Sequence, residues 1–181
     1  MSIEESWEKI ECWLTSYASQ EEPLPGPCTR ADLDRLYAHV GARLPEDVER
    51  SLLRHNGSGL TDVLPPSYGL HSVEAIAKKH ADWMQYKDNG DSPLLVPIGS
   101  IGVLQLMVDT RTGHLENWDL EQGYIPEEGP VWESLSAALE SIGNVLASPR
   151  PWFARGPYDD EWAATDMDPD FPGMLVWAQD R

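Results

Sequence analysis

Twenty residues, Val40 to Gly59, leave the chain few options, because they read as a helix end, a helix start and a second helix end in succession. Gly41 follows an apolar pattern that stops at Val40, so it suits the left-handed residue that closes a helix. Pro45 presets φ for the first turn of the next helix, and Glu46 and Asp47 then sit at the positive end of its dipole. Val48 and Leu52 share one face, and Asn56-Gly57 tolerates φ > 0 and ends the run. The segment predicts a helical corner that delivers the chain into a sheet.

A corner of this kind needs helices and strands around it, and the flanking sequence supplies both. Residues 2–17 read as a first helix: Ser2 and Glu5 have capping-box spacing, and Ile3, Trp7, Ile10 and Leu14 recur at intervals of four, three and four. Trp7 and Leu14 are expected in the core, with Trp13 and Tyr17 flanking the stripe. Pro23, Pro25 and Pro27 enforce an extended connection. Thr29 caps a second helix with Asp32 answering it, and Leu33, Leu36, Tyr37 and Val40 form its stripe. Pro65-Pro66 breaks the stretch from Leu60 to Leu70 into short extended pieces. Ser72 caps a third long helix whose face is expected to carry Val73, Ile76, Ala77, His80 and Met84, with Trp83 and Tyr86 pointing away.

Leu94 to Ile98 and Val103 to Val108 are β-rich runs, and the polar, glycine-terminated stretch from Asp109 to Gly113 joins the second to His114–Asp119 as an antiparallel hairpin. Leu104, Leu106 and Val108 are expected to face inward. Trp132, Leu135, Leu139, Ile142 and Leu146 predict a last long helix over residues 131–146 that packs on the sheet. The fold class is therefore α+β: a single domain with a mixed, mainly antiparallel sheet and several helices. Residues 148–181 hold prolines, aspartates and three tryptophans. Disordered tails are poor in aromatics, so this extension is expected to pack on the domain of residues 1–147.

Gly41, Leu44-Pro45-Glu46-Asp47 and His55-Asn56-Gly57 resemble the signature of the SUKH superfamily, which holds fungal cell-wall-assembly regulators and many bacterial immunity proteins. A Trp7-x-x-Ile10-Glu11 helix upstream, Val96-Pro97-Ile98-Gly99 before a hairpin and a late amphipathic helix follow in the same order, so the likeness spans roughly residues 1–147. It implies a SUKH-like fold. For function it implies a non-catalytic protein-binding module, either an immunity protein that occludes a toxin or a regulatory scaffold.

Composition narrows the partners. In 181 residues, 31 acidic side chains face 13 basic ones, a formal net charge of −18. That field repels phosphate backbones and anionic lipid, so neither nucleic acid nor membrane is expected as a direct ligand. It serves solubility, or it steers a basic partner such as a toxin domain. Cys12 and Cys28 have no metal-ligand spacing and are expected to be reduced thiols. The acidic start, Met1-Ser2-Ile3-Glu4-Glu5, lacks the basic residues of a signal peptide, and no apolar run reaches membrane-span length, which predicts a cytoplasmic protein.

Few residues fall into a pattern that carries chemistry. His55 has no serine or cysteine in a nucleophile setting and reads better as a helix-end residue. The glycines at 57–59 and 99–102 lack the lysine of a phosphate loop. Asp166-x-Asp168-x-Asp170 begins like a calcium loop, but Phe171 stands at the glycine position and Trp177 at that of the bidentate glutamate. No catalytic residue, metal or cofactor is expected. Scattered carboxylates leave a small acid/base enzyme as a further alternative. For partner binding, Glu116, Trp118, Asp119, Glu121 and Tyr124 form an expected acidic-aromatic patch on the outgoing hairpin strand and its loop. Against it stands strand alternation, which sends Trp118 and Asp119 to opposite faces and suits Trp118 to packing under a helix.

Overall fold

A computed structural model describes residues 1–86, 94–120, 123–124, 131–150, 152–156 and 160–179, the pair 123–124 by its backbone alone. Among them are five helices: α1 (Ile3–Tyr17), α2 (Arg30–Val40), α3 (Glu46–Arg54), α4 (Val73–Tyr86) and α5 (Leu135–Leu146). Two antiparallel sheets accompany them, so the protein is α+β. The larger sheet has the order β1 (Gly69–Leu70), β2 (Leu95–Ile101), β3 (Leu104–Asp109), β4 (Leu115–Asp119) and β5 (Gly123–Tyr124). The smaller is β6 (Trp152–Arg155), β7 (Glu161–Thr165) and β8 (Val176–Gln179).

Local signals explain the helix starts. Ser2 and Glu5 exchange bonds in a capping box at α1, and Thr29 and Asp32 do the same at α2, which ends at Gly41 with φ +80°. Each box satisfies two of the backbone amides that a helix start leaves without intrahelical partners. Helix α3 follows Pro45, whose φ is −54°, and carries Glu46, Asp47 and Glu49 in its first turn.

The β3–β4 hairpin sits at the centre of the larger sheet, with Leu106 opposite Asn117 and Val108 opposite Leu115. The two-residue period sends Leu106, Val108 and Leu115, all fully buried, into the main core, and Leu104 packs half-buried against it. Helix α5 covers this core with Leu135, Ala138, Leu139, Ile142 and Leu146, beside Trp7 and Ile10 of α1. A bulge falls between Pro97 and Gly99 of β2. A Cβ on Gly99 would stand 2.8 Å from the carbonyl oxygen of Gly69, so glycine is what lets β1 approach.

Two expectations need correction. The last helix begins at Leu135, capped by Ser134, whose side chain accepts the Ala137 amide, rather than at residue 131. Trp132 instead bridges Leu115: the Leu115 amide donates to the Trp132 carbonyl at 2.9 Å, and Val131 donates back at 2.8 Å. Helical spacing made Trp132 look like part of the stripe, but an extended segment that supplies strand hydrogen bonds wins there.

On α4 the inward residue is Trp83, buried, while Met84 is exposed. The stripe runs Val73, Ile76, His80, Trp83, with steps of three, four and three, and its end leaves the main core for a second cluster of Trp83, Leu95, Met107 and Trp118 on the opposite face of the sheet. The Tyr86 side chain lies outside the described residues.

The C-terminal residues form a strap against α1 and the segments beside it. Trp152 packs edge-on to Trp13 at 5.2 Å, and Trp152, Ala154, Ala164, Leu175 and Trp177 belong to the main core. Arg150 stacks on Tyr17 and Trp152 and pairs with Asp166. Asp168 accepts the amides of Asp170 and Phe171 in a local turn. The strap is pinned to the rest of the chain by Gln20 N–H to the Gly173 carbonyl and by Trp177 Nε1–H to the Asp62 carbonyl.

Candidate functional site

The helical corner is occupied by its own bonds. Ring nitrogens Nδ1 and Nε2 of His55 lie 2.7 Å from the Pro25 carbonyl and the Glu11 carboxylate, and the edge of its ring meets Trp7. Arg54 adds a two-pronged contact to Glu11 at 2.9 and 2.8 Å. Burial pulls the Glu11 carboxyl upward, but the bonds from Arg54 and His55 outweigh it and hold Glu11 below the usual range.

Asn56 and Asp47 reach across to other helices. The side-chain oxygen of Asn56 accepts the Val73 amide at the start of α4, and Asp47 Oδ2 accepts the Ser136 amide at the start of α5, both at 2.8 Å. These are caps supplied from a distance to amides that have no intrahelical partner. Gly57 has φ +81°, and a Cβ there would lie 2.7 Å from the Ser72 amide nitrogen. His55, Asn56, Gly57 and Asp47 are therefore joints between elements. His55 has both ring nitrogens engaged, one by the Pro25 carbonyl and one by Glu11, and so latches the corner to α1 and to the connection before α2.

Next to the corner lies an open cleft of about 460 Å³ between α1 and the segment that follows it. Leu14, Ala18, Pro23 and Leu24 give it apolar walls, and Glu11, Glu21 and Glu22 bring carboxylates to its lining, with no lysine or arginine among the described lining residues. The three acids differ in their freedom. Glu11 is held by Arg54 and His55. Glu21 accepts the Thr61 hydroxyl at 2.8 Å and the Leu175 amide at 2.9 Å. Glu22 is exposed. Behind Glu21, burial and then the Glu21 charge push the Asp62 carboxyl up to about 6.

Of the expected hairpin patch, the structure describes the side chains of Glu116, Trp118 and Asp119. Trp118 is 8% exposed and packs edge-on to Trp83 at 5.9 Å, Asp119 is equally buried, and Glu116 is half-buried opposite Met107. Strand alternation does place Trp118 and Asp119 on opposite faces, and Trp83 of α4, distant in sequence, covers Trp118. Glu121 lies outside the described residues, and of Tyr124 only the backbone, paired with Trp118, is described.

Sequence reading passed over Glu21 and Glu22. The one signal present was an acidic pair wedged between a helix end and a proline-spaced connection, which predicts an exposed rim and not a cleft. Among the described residues no group of three His, Cys, Asp or Glu side chains is placed to hold a metal ion, and no helix is long and apolar enough to cross a membrane. Cys12 is exposed, Cys28 is buried, and neither is in a disulfide. No family model and no curated protein sequence matches the chain.

Proposed function

We propose that this protein is a non-catalytic module that binds a basic protein partner, with the acidic cleft as the contact surface. The observation that carries this reading is the cleft itself: apolar walls with three glutamates in the lining, in a chain with 31 acidic and 13 basic residues. An arginine or lysine side chain from a partner can lay its methylene stem on Leu14 and Leu24 and bring its charge to the carboxylates. The long-range field adds steering, which raises association rates more than it raises affinity.

The resemblance of the corner to the SUKH signature directs the proposal further, toward an immunity protein that occludes a basic toxin domain in the cytoplasm. The commitment of the corner's polar groups to capping and latching favours binding over catalysis, since His55, Asp47 and Asn56 already have structural partners.

The test begins with affinity capture from the native cell and continues with association kinetics of the purified pair. A basic partner is expected, with an on-rate that falls as salt rises. Glu22→Lys, an exposed change, should slow association roughly threefold to tenfold with an unchanged melting temperature. An acidic partner, or kinetics indifferent to both salt and Glu22→Lys, would move the interface away from this cleft.

A further inference from the structure

The three glutamates that line the cleft are not equivalent as receivers of a cation. Arg54 already neutralises Glu11 through both of its oxygens, and His55 adds a bond to Oε1. Glu22 is exposed, and its side chain makes no hydrogen bond or ion pair among the described residues. Glu21 is half-buried and fixed from behind: the Leu175 amide donates to Oε1 at 2.9 Å and the Thr61 hydroxyl to Oε2 at 2.8 Å. Each oxygen keeps a second lone pair, and no lysine, arginine or histidine pairs with this carboxylate among the described residues. Glu21 is therefore a charge held still on the cleft lining, with both oxygens able to accept and no cation beside it.

The rest of the cleft suits a long, thin, cationic side chain. Leu14, Ala18, Pro23 and Leu24 bound a space of about 460 Å³, against which methylene groups can bury while a charged head reaches the carboxylates. Pro23 and Pro25 have no amide hydrogen, so the segment after α1 offers a guest carbonyl acceptors and few donors.

We propose that the cleft is a seat for one arginine side chain of the partner, selected over lysine by a two-pronged contact to Glu21. This rests on the binding reading above and names the residue that the cleft takes. The selection comes from geometry. A guanidinium is a planar fork whose parallel N–H groups match the two oxygens of a carboxylate, and a carboxylate already held by two bonds loses little freedom on receiving it. An ammonium is a point charge that engages one oxygen well, and it is more strongly hydrated, so it gives up more on entering a cleft with apolar walls. Donors left over on the fork suit the exposed Glu22. The net charge of −18 attracts both residues alike. The field thus sets how fast a basic partner arrives, and Glu21 sets which side chain it inserts.

The experiment is an NMR titration of the whole chain at low salt with the capped tripeptide acetyl-Gly-Arg-Gly-amide and its counterparts carrying lysine or citrulline at the centre. It is read at the methyl signals of Leu14, Ala18 and Leu24. The arginine peptide should bind saturably with a dissociation constant on the order of millimolar, and the lysine peptide roughly fivefold more weakly, the worth of one hydrogen bond. Citrulline, which keeps the shape without the charge, should not saturate. Glu21→Gln retains an oxygen for the Leu175 amide and should bring the arginine peptide down to the lysine level. Glu22→Gln, an exposed change that serves if Glu21→Gln folds poorly, should weaken both peptides alike and leave their ratio standing. Equal affinity for arginine and lysine in the wild type would overturn the selection and leave a cleft that takes any cation, as would a ratio that Glu21→Gln does not alter. Absence of saturable shifts at these methyls with the arginine peptide would overturn the seat itself. The binding reading fails by a different result, a captured partner whose association is indifferent to salt and to Glu22→Lys.

Discussion

The two faces of the larger sheet are built to different rules. On one, Val96, Ile98, Leu106, Val108 and Leu115 meet α1, α3 and α5 in an apolar layer. On the other, Leu95, Met107, Trp83 and Trp118 share space with His71 and with Gln105 and Asp109, both buried. Gln105 lies beside His71, yet among the described residues neither its amide atoms nor His71 Nε2 makes a well-formed hydrogen bond. Burial, with Lys79 adding to it, lowers the His71 ring to about 4 from 6.5. Asp109 escapes this penalty because Arg111 grips it with two bonds and holds its carboxyl below the usual range. Away from the buried Asn117 and Asp119 of β4, the first face fails by losing volume. The second can also fail by protonation.

The sharpest way to break that contrast is to empty the second face. Trp83→Ala should cost about 3–5 kcal/mol in chemical denaturation, in the range for truncating a buried tryptophan. A loss below 1 kcal/mol would show that this cluster is a coat and not a core. On the first face, Leu106→Ala and Leu139→Ala should each cost about 2–5 kcal/mol, by the same amount at pH 7 and pH 4.5. An unchanged denaturation midpoint for either variant would misplace the apolar layer.

The next prediction concerns titration. Because the folded ring of His71 titrates below the unfolded one, its contribution is fully present above about pH 6.5 and is lost as pH falls toward about 4. After allowance for partial exposure this amounts to about 2 kcal/mol, and His71→Phe should remove the acid sensitivity. Asp62 acts in the opposite sense over an overlapping window, so the informative curve is variant minus wild type. A flat difference between pH 6.5 and pH 4 would contradict the assignment.

The smallest effect belongs to Gln105. Replacing an unsatisfied buried amide by an apolar group of similar size is expected to be neutral or to stabilise by up to about 1 kcal/mol, so Gln105→Met should not lower the melting temperature. A loss above 1 kcal/mol would mean that the amide has a partner after all.

These differences also mark what the sequence made legible. The capping boxes at Ser2 and Thr29, the αL glycine at 41 and the alternation of Leu104, Leu106 and Val108 depend on residues within a few positions of one another, so local pattern was enough. Trp83 was misread in favour of Met84 because the two are one residue apart on the helix, and the choice depends on where Trp118 stands. The burial of Trp118 is set in the same way, since α4 covers that side of the sheet from a distance. The cleft was invisible for a stronger reason: its lining comes from α1, the segment after it and His55 of the corner, and no periodicity links them. Solvent exposure is a property of the assembled layers, and no single strand or helix reports it.

The caps supplied by Asp47 and Asn56 bear on the order of events when the chain folds. The Asp47–Ser136 bond joins positions 89 residues apart, whereas the Asn56–Val73 bond spans 17. Closing the longer loop costs more chain entropy, so that bond is expected to form only after the strands between have paired. Removing the Asp47 carboxylate should then act mostly on how fast the native state comes apart, with little change in refolding. Removing the Asn56 amide should slow refolding as well, so the two ends of one short helix would report on different moments of assembly.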